Sequence, residues 1–144
     1  RAGCCYRRRS LRGGLSKVGS REGREGKKNA KGNRMDVEGL AAIAIDCGLY
    51  VHRKVGPGLL ESAYEAVLAH ELGRRGLIVE RQKVVAVHID DLHIEAGFRA
   101  DLIVEDRLLI ELKSVDRLAP VHTKQVLTYL RFLKLPVGLL MNFG

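Results

Sequence analysis

The chain has 144 residues, enough for one domain, and its 25 Lys and Arg against 17 Asp and Glu give a formal net charge of +8. It contains no run of 18 apolar residues, so no transmembrane helix or membrane partner is predicted. The three cysteines, Cys4, Cys5 and Cys47, lack metal-ligand spacing and do not suggest a disulfide framework. With no apolar signal segment in the sequence, we expect a reducing, cytoplasmic location.

The positive charge belongs to residues 1–34, which hold 12 basic residues, two acidic residues and seven glycines. Such a segment buries too little apolar surface to offset the entropy of ordering, so we predict a basic, disordered extension. We expect it to lie upstream of the domain proper, which begins at Met35; the alternative is a nucleic-acid-binding arm. Residues 35–144 hold the other 13 basic and 15 acidic residues, a net charge of −2.

Two helices are predicted at the start of the domain. Apolar residues at helical spacing predict a helix over residues 36–55, with Asp36 as its N-cap and Gly56 and Pro57 as its stop. A second helix is predicted over residues 59–75, where the apolar positions again recur every three or four residues.

A β-hairpin is predicted next, with strands over residues 77–89 and 92–96 joined by a turn at Asp90 and Asp91. His88 and His93 are expected to face each other across it. A zinc site needs more ligands than the neighbouring sequence offers, so a simple cross-strand pair is the favoured interpretation and zinc binding the alternative.

Residues 99–113 predict a second hairpin, in which two runs rich in Leu, Ile and Val flank the charged turn 105–107. With the turn centred on its middle residue, antiparallel pairing sets Asp101 opposite Glu111. Because side chains alternate along a strand, Lys113 shares the face of Glu111. The hairpin therefore gathers two carboxylates and one ammonium group.

This predicted cluster is electrostatically costly. Two carboxylates about 4 Å apart repel by roughly 4 kcal/mol at an effective dielectric near 20. One lysine offsets part of that repulsion, and a bound divalent cation offsets more, because hard cations such as Mg²⁺ prefer carboxylate oxygen. The alternative is a surface hairpin whose charged side chains are merely solvated.

The chain ends in a helix predicted over residues 121–134, with Pro120 at its start, and a strand over residues 137–143. Gln125 and Tyr129 are four residues apart, so they share one face of this helix.

Four sequence elements resemble a known family. Asp101, nine residues and then Glu111-Leu112-Lys113 resembles the core of the PD-(D/E)XK nucleases. Upstream, Gly58 to Tyr64 matches the pattern GxxExxY. Downstream, Gln125 to Tyr129 matches the QxxxY of the branch that resembles the RecB nuclease domain. The elements stand in the expected order, and the resemblance to the GxxExxY family covers residues 35–144.

The resemblance implies a fold and a division of the chain. We expect the α/β class, with a restriction-endonuclease-like core in which helices flank a mixed β-sheet. Residues 35–144 would form this nuclease-like domain, and residues 1–34 would precede it as the basic extension.

The resemblance also implies a metal-dependent nuclease that hydrolyses phosphodiester bonds in nucleic acid, with DNA as the expected substrate. Mg²⁺ or Mn²⁺ would be held by oxygen atoms of Asp101, Glu111, Glu61 and the backbone carbonyl of Leu112. With the three acidic residues, Lys113 completes the implied catalytic set, because its ammonium group can stabilise developing negative charge.

Three further residues are implied to position the substrate, namely Gln125, Tyr129 and Tyr64. The alternative function is a non-catalytic nucleic-acid-binding or accessory protein on a nuclease-like fold, because a fold does not fix a function. A homo-oligomer or a protein partner is compatible with either function. A third interpretation is a structural domain that carries a surface ion cluster.

Overall fold

The structure, a computed structural model, describes the backbone of Cys5–Ser10 and all of residues 35–144. These residues form five strands and three helices, in the order β1 (Cys5–Ser10), α1 (Val37–Val55), α2 (Glu61–Arg74), β2 (Val79–Ile89), β3 (Leu92–Val104), β4 (Leu108–Lys113), α3 (Pro120–Leu133) and β5 (Val137–Asn142).

The strands form one mixed sheet in the order β1-β5-β4-β3-β2. β4 and β5 are parallel, whereas the other neighbouring pairs are antiparallel. A parallel pair needs a long crossover, and α3 supplies it between β4 and β5. The predicted α/β class is confirmed, with helices flanking a mixed sheet as in a restriction-endonuclease-like core.

The strand β1 was not predicted. It pairs antiparallel with β5, from Cys5 opposite Asn142 to Ser10 opposite Val137. For these six residues the structure describes a strand where the sequence analysis expected disorder. The rest of the predicted disordered extension, residues 1–4 and 11–34, lies outside the described residues.

Both faces of the sheet are covered by helices. α1 and α2 pack on one face in a cluster that includes Leu108, Ile110 and Leu112 of β4. α3 packs on the other face in a cluster that includes Leu109 of β4 and Leu140 of β5. This alternation along β4 follows from the two-residue period of a strand, and it buries the strand on both sides.

The first helix begins as predicted. The carboxylate of Asp36 accepts a hydrogen bond from the Gly39 N–H at 2.8 Å and so caps α1, which ends where Gly56 adopts a φ of 73°. Within the described ranges, none of the helices is both long and apolar enough to span a bilayer.

The prediction of two separate strands on either side of Gly97 was wrong. The structure has one strand, β3, of 13 residues that runs through Gly97. A Cβ atom on Gly97 would lie 2.3 Å from the Cγ2 atom of Val87 on β2. Glycine is therefore required by the close approach of the Val87 side chain, and it does not separate two strands.

The central hairpin has the predicted register. Leu102 pairs with Ile110 and Val104 with Leu108, and the same register continued by one residue places Asp101 opposite Glu111. The Arg107 N–H donates to the Val104 carbonyl at 3.0 Å and closes the turn.

The two central residues of this turn have positive φ, 54° at Glu105 and 53° at Asp106, as a type I′ turn requires. Glu105 is further fixed because its carboxylate accepts a hydrogen bond from the Ile78 N–H at 2.7 Å. The Asp106 side chain is 86% exposed and lies 3.8 Å from Lys83. A substitution at Asp106 therefore tests the backbone conformation of the turn and removes few side-chain contacts.

We predict that Asp106→Gly stabilises the protein by about 0.5–1 kcal/mol, because glycine adopts positive φ without steric cost. Chemical denaturation measures the change. Asp91 serves as the control, since it lies in the other hairpin turn and is not among the residues with positive φ. Asp91→Gly should give no stabilisation, and an equal gain in both variants would contradict the explanation.

Candidate active site

Asp101 lies one residue beyond the last backbone pair of β3 and β4, and its side chain continues the hydrogen bonding to β4. Its Oδ2 atom accepts from the Leu112 N–H at 2.9 Å, and its Oδ1 atom accepts from the Gln82 amide at 3.3 Å. Burial raises the pKa of Asp101, although the bond from Leu112 opposes that rise. The carboxylate is thus held in one orientation by two different strands.

Glu111 is a carboxyl group in β4, between apolar residues that are buried from Leu108 to Leu112. The residue is 2% exposed, and its Oε1 atom accepts from the Lys113 ammonium at 2.8 Å. Its Oε2 atom is buried and has no hydrogen-bond partner among the described residues. Burial raises the pKa of Glu111 to about 7, and the neighbouring charge of Asp101 adds to the rise.

Lys113 connects this pair to the helix α2. Its ammonium nitrogen lies 4.0 Å from a carboxylate oxygen of Glu61, whose side chain is 44% exposed in the first turn of α2. Burial opposes the charged form, but the hydrogen bond to Glu111 and the surrounding negative charges hold the pKa of Lys113 above its usual value. The structure therefore brings together Asp101, Glu111, Lys113 and Glu61.

The chemistry of these side chains suits a hard divalent cation. The three acidic side chains offer carboxylate oxygens, and the Oε2 atom of Glu111 is buried with no hydrogen-bond partner in the described structure. Across residues 35–144, no three His, Cys, Asp or Glu side chains are already arranged as a ligand set. Lys113 occupies the other Glu111 oxygen, so the cluster is arranged around the ammonium group.

Tyr64 acts on the loop before α2. Its hydroxyl donates to the Gly56 carbonyl at 2.6 Å and accepts from the Leu59 N–H at 3.2 Å. Its ring is fully buried and stacks on Phe143 with the centroids 4.6 Å apart. Because this loop leads directly into α2, Tyr64 fixes the place from which Glu61 extends toward Lys113.

Two residues that the sequence analysis did not single out hold the chain after β4. The Asn142 side chain accepts from the Val115 N–H at 3.0 Å and donates to the Val115 carbonyl at 2.6 Å. The Ser114 hydroxyl donates to the Leu59 carbonyl at 3.1 Å. The Ser114 contact joins the end of β4, which carries Lys113, to the loop before Glu61, whereas the Asn142 contacts join the following residue to β5.

A second buried carboxylate, Glu65, was also missed. It is 4% exposed and accepts hydrogen bonds from Arg81, at 2.8 Å, and from the Gln82 amide. Gln82 has a positive φ of 51° and bonds to both Glu65 and Asp101. No local pattern could reveal these contacts, because the partners lie 17 and 19 residues from Gln82.

Gln125 and Tyr129 are on α3 and contact each other, through a hydrogen bond of 2.9 Å from the Gln125 amide to the Tyr129 hydroxyl. The Tyr129 ring stacks on Phe98 of β3 with the centroids 4.0 Å apart. In the part of the chain that the structure describes, no hydrogen bond or ion pair joins these two residues to Asp101, Glu111 or Lys113.

Comparison with known proteins gives one match. A family model described as the PD-(D/E)XK nuclease superfamily matches residues 38–144, well over half of the chain. The searches of curated proteins and of solved structures found no match. The matched range contains the whole cluster around Glu111.

We predict that Glu111→Gln changes how the stability of the cation-free protein depends on pH. The folded-state pKa of Glu111 lies above its usual value, so folding favours the protonated carboxyl. The parent should therefore lose stability as the pH rises from about 4.5 through 7. Because glutamine cannot ionise, the variant should avoid this loss and be more stable at pH 8 by about 1–3 kcal/mol.

Urea denaturation at a series of pH values measures this difference. Glu80→Gln is the control, because Glu80 is an exposed carboxylate paired with Lys83. It should keep the pH dependence of the parent. An equal rise in the stability of the parent and of Glu111→Gln between pH 5 and 8 would show that the fold does not hold Glu111 in its protonated form.

We predict energetic coupling between Glu65 and Gln82. Gln82→Met leaves a buried carboxylate short of one donor, so the variant should lose about 1–2 kcal/mol. In the Glu65→Leu background, Gln82→Met should lower the free energy of unfolding by much less. The double-mutant cycle should therefore give a coupling of about 1 kcal/mol or more. The exposed pair of Glu80 and Lys83 is the control, with a coupling near zero. Equal coupling in both cycles would contradict the assignment.

Proposed function

The chain belongs to the PD-(D/E)XK nuclease superfamily, and from this premise we propose that it is a metal-dependent nuclease that hydrolyses phosphodiester bonds in nucleic acid, DNA being the expected substrate. The observation that supports this most directly is the buried Glu111, which lies next to Asp101 and Lys113. Its Oε2 atom has no hydrogen-bond partner in the described structure. An unsatisfied buried carboxylate lowers stability, and such groups occur where chemistry requires them.

Within the superfamily, we place the chain with the GxxExxY proteins and with the branch that resembles the RecB nuclease domain. The support is the order of the motifs in the sequence. The Tyr64 of the first motif fixes the loop before Glu61, and Gln125 and Tyr129 of the last motif are hydrogen-bonded to each other.

In this proposal Asp101 and Glu111 hold Mg²⁺ or Mn²⁺, and Glu61 and the Leu112 carbonyl contribute further oxygen atoms. Bound there, the cation would supply Lewis-acid polarisation of the phosphoryl group and would lower the pKa of water. Asp101 is already oriented by Leu112 and Gln82. Little side-chain entropy would therefore be lost at Asp101 when the cation binds.

The charge of the surrounding residues favours cation binding. Four carboxylates and two basic groups surround the site and have a formal net charge of −2, with Gln82 linking Glu65 to Asp101; the six are Asp101, Glu111, Glu61, Glu65, Lys113 and Arg81. A negative cluster attracts a divalent cation but repels a phosphate. The cluster would therefore bind a divalent cation in preference to an anion.

The role of Lys113 is to supply a positive charge at the site. Its raised pKa keeps it protonated at neutral pH, so it does not serve as a general base. Its ammonium group orients the scissile phosphate and stabilises the negative charge that develops during hydrolysis. Gln125 and Tyr129, a hydrogen-bonded pair, are proposed to contact the nucleic-acid backbone, whereas Tyr64 acts through the loop that carries Glu61.

We predict that the full-length protein cleaves labelled nucleic acid in the presence of Mn²⁺ or Mg²⁺ and that EDTA abolishes the cleavage. Single- and double-stranded DNA and RNA identify the substrate. Lys113→Met should lower the rate by at least about 100-fold, as loss of a charge-stabilising donor does. Glu80→Gln, a surface carboxylate variant, is the control and should cleave like the parent.

Binding measurements separate the roles. Mn²⁺ should raise the melting temperature of the parent and of Lys113→Met, but not that of Asp101→Asn or Glu111→Gln, because the two carboxylates are proposed ligands and the Lys113 ammonium group is not. Nucleic-acid binding without cleavage under any of these cations would favour the accessory function instead. An equal Mn²⁺ response in the parent and both acid variants would exclude the proposed cation site.

A further inference from the structure

The strands β2 and β3 extend well past the rest of the sheet. β4 pairs with β3 only over residues 102–104, whereas β2 and β3 stay paired out to Ile89 and Leu92. We call residues 84–98 the hairpin arm. His88 and His93 lie directly opposite each other near its end, and both are exposed. Nothing in the proposed nuclease function uses these two residues.

The Nδ1 atoms of the two imidazole rings point toward each other. The Nδ1 atoms of His88 and His93 are 3.0 Å apart, and the ring centroids are 4.2 Å apart. A contact of this length is a hydrogen bond in which the N–H of one ring donates its proton to the lone pair of the other. A metal ion could take the place of that proton, because it would meet a lone pair from each ring.

The distance between the nitrogens suits such an ion. Imidazole nitrogen lies about 2.0–2.1 Å from a bound Zn²⁺. Two such ligands at a tetrahedral or a right angle would therefore be about 2.9–3.4 Å apart. The separation of 3.0 Å between His88 and His93 falls within that range. The pair thus has the spacing of a chelate before any ion binds.

We propose that His88 and His93 form a chelating site for a late first-row divalent ion, Zn²⁺, Ni²⁺ or Cu²⁺, bound through the two Nδ1 atoms. Imidazole favours these ions, whereas Mg²⁺ and Mn²⁺ favour oxygen. The described residues supply no third side-chain ligand in place, so water fills the remaining positions. The site is therefore open and exchangeable, unlike a closed structural zinc site.

The fold supports the site in two ways. The tight turn, with Asp90 at a φ of 52°, and the adjoining pair of Ile89 and Leu92 fix the register that opposes the two histidines. In addition, Asp90 and Asp91 place two acidic residues in the turn beside the histidines, which favours a cation there. Ordering of the ligands consequently costs little when the ion binds.

Titration calorimetry of the full-length protein with Zn²⁺, Ni²⁺ and Cu²⁺ tests the proposal. Cys4→Ser and Cys5→Ser should be introduced throughout, so that these thiols do not bind the probe ions. We expect one ion per chain at the histidine pair, with Cu²⁺ bound more tightly than Ni²⁺ or Zn²⁺. His88→Asn and His93→Asn should each weaken Cu²⁺ binding by at least tenfold.

Two controls make the result decisive. His70 is exposed on α2, so His70→Asn should bind Cu²⁺ like the parent and should exclude a general effect of surface histidines. Glu111→Gln should also keep Cu²⁺ binding, which separates this site from the proposed nuclease site. Unchanged binding in both hairpin variants, equal loss in His70→Asn, or displacement of Cu²⁺ by excess Mg²⁺ would each overturn the proposal.

Discussion

The burial of one carboxyl group in β4 is the constraint on which the rest of the site depends. β4 lies between β3 and β5 and is covered on both faces, so every position from Leu108 to Leu112 is buried, including Glu111. A charged group in such a place is costly unless it is paired. Lys113 pairs with one oxygen, whereas the other has no hydrogen-bond partner in the described structure. Burial raises the pKa of Glu111 to about 7, and the neighbouring charge of Asp101 adds to the rise.

The surroundings of Glu111 are held by contacts between distant segments rather than by one element. Tyr64 and Ser114 both bond to the loop before α2, and Asn142 bonds to the chain that follows β4. Because β4 and β5 are parallel, the ends of both strands meet at this edge of the sheet. The side chains that fix Lys113 and Glu61 therefore come from three separate parts of the sequence, namely α2, the chain after β4, and β5.

Local patterns predicted part of this arrangement. The register of Asp101 and Glu111 followed from the two-residue period of a strand and the position of the charged turn. The long strand through Gly97 and the pairing of Gln82 with Glu65 were missed, because each depends on a close contact with another segment. The raised pKa of Glu111 likewise depends on burial, which no short motif encodes.

The long strand β3 relates the two proposed cation sites to each other. Asp101 lies near one end of β3 and His93 near the other, eight residues apart, which corresponds to roughly 27 Å along an extended strand. That distance exceeds the Debye length of about 8 Å at physiological ionic strength, so the charge of one ion is largely screened from the other. One site offers carboxylate oxygen and the other offers imidazole nitrogen, so each selects a different class of ion. Occupancy of the hairpin arm should therefore leave the electrostatics around Glu111 unchanged.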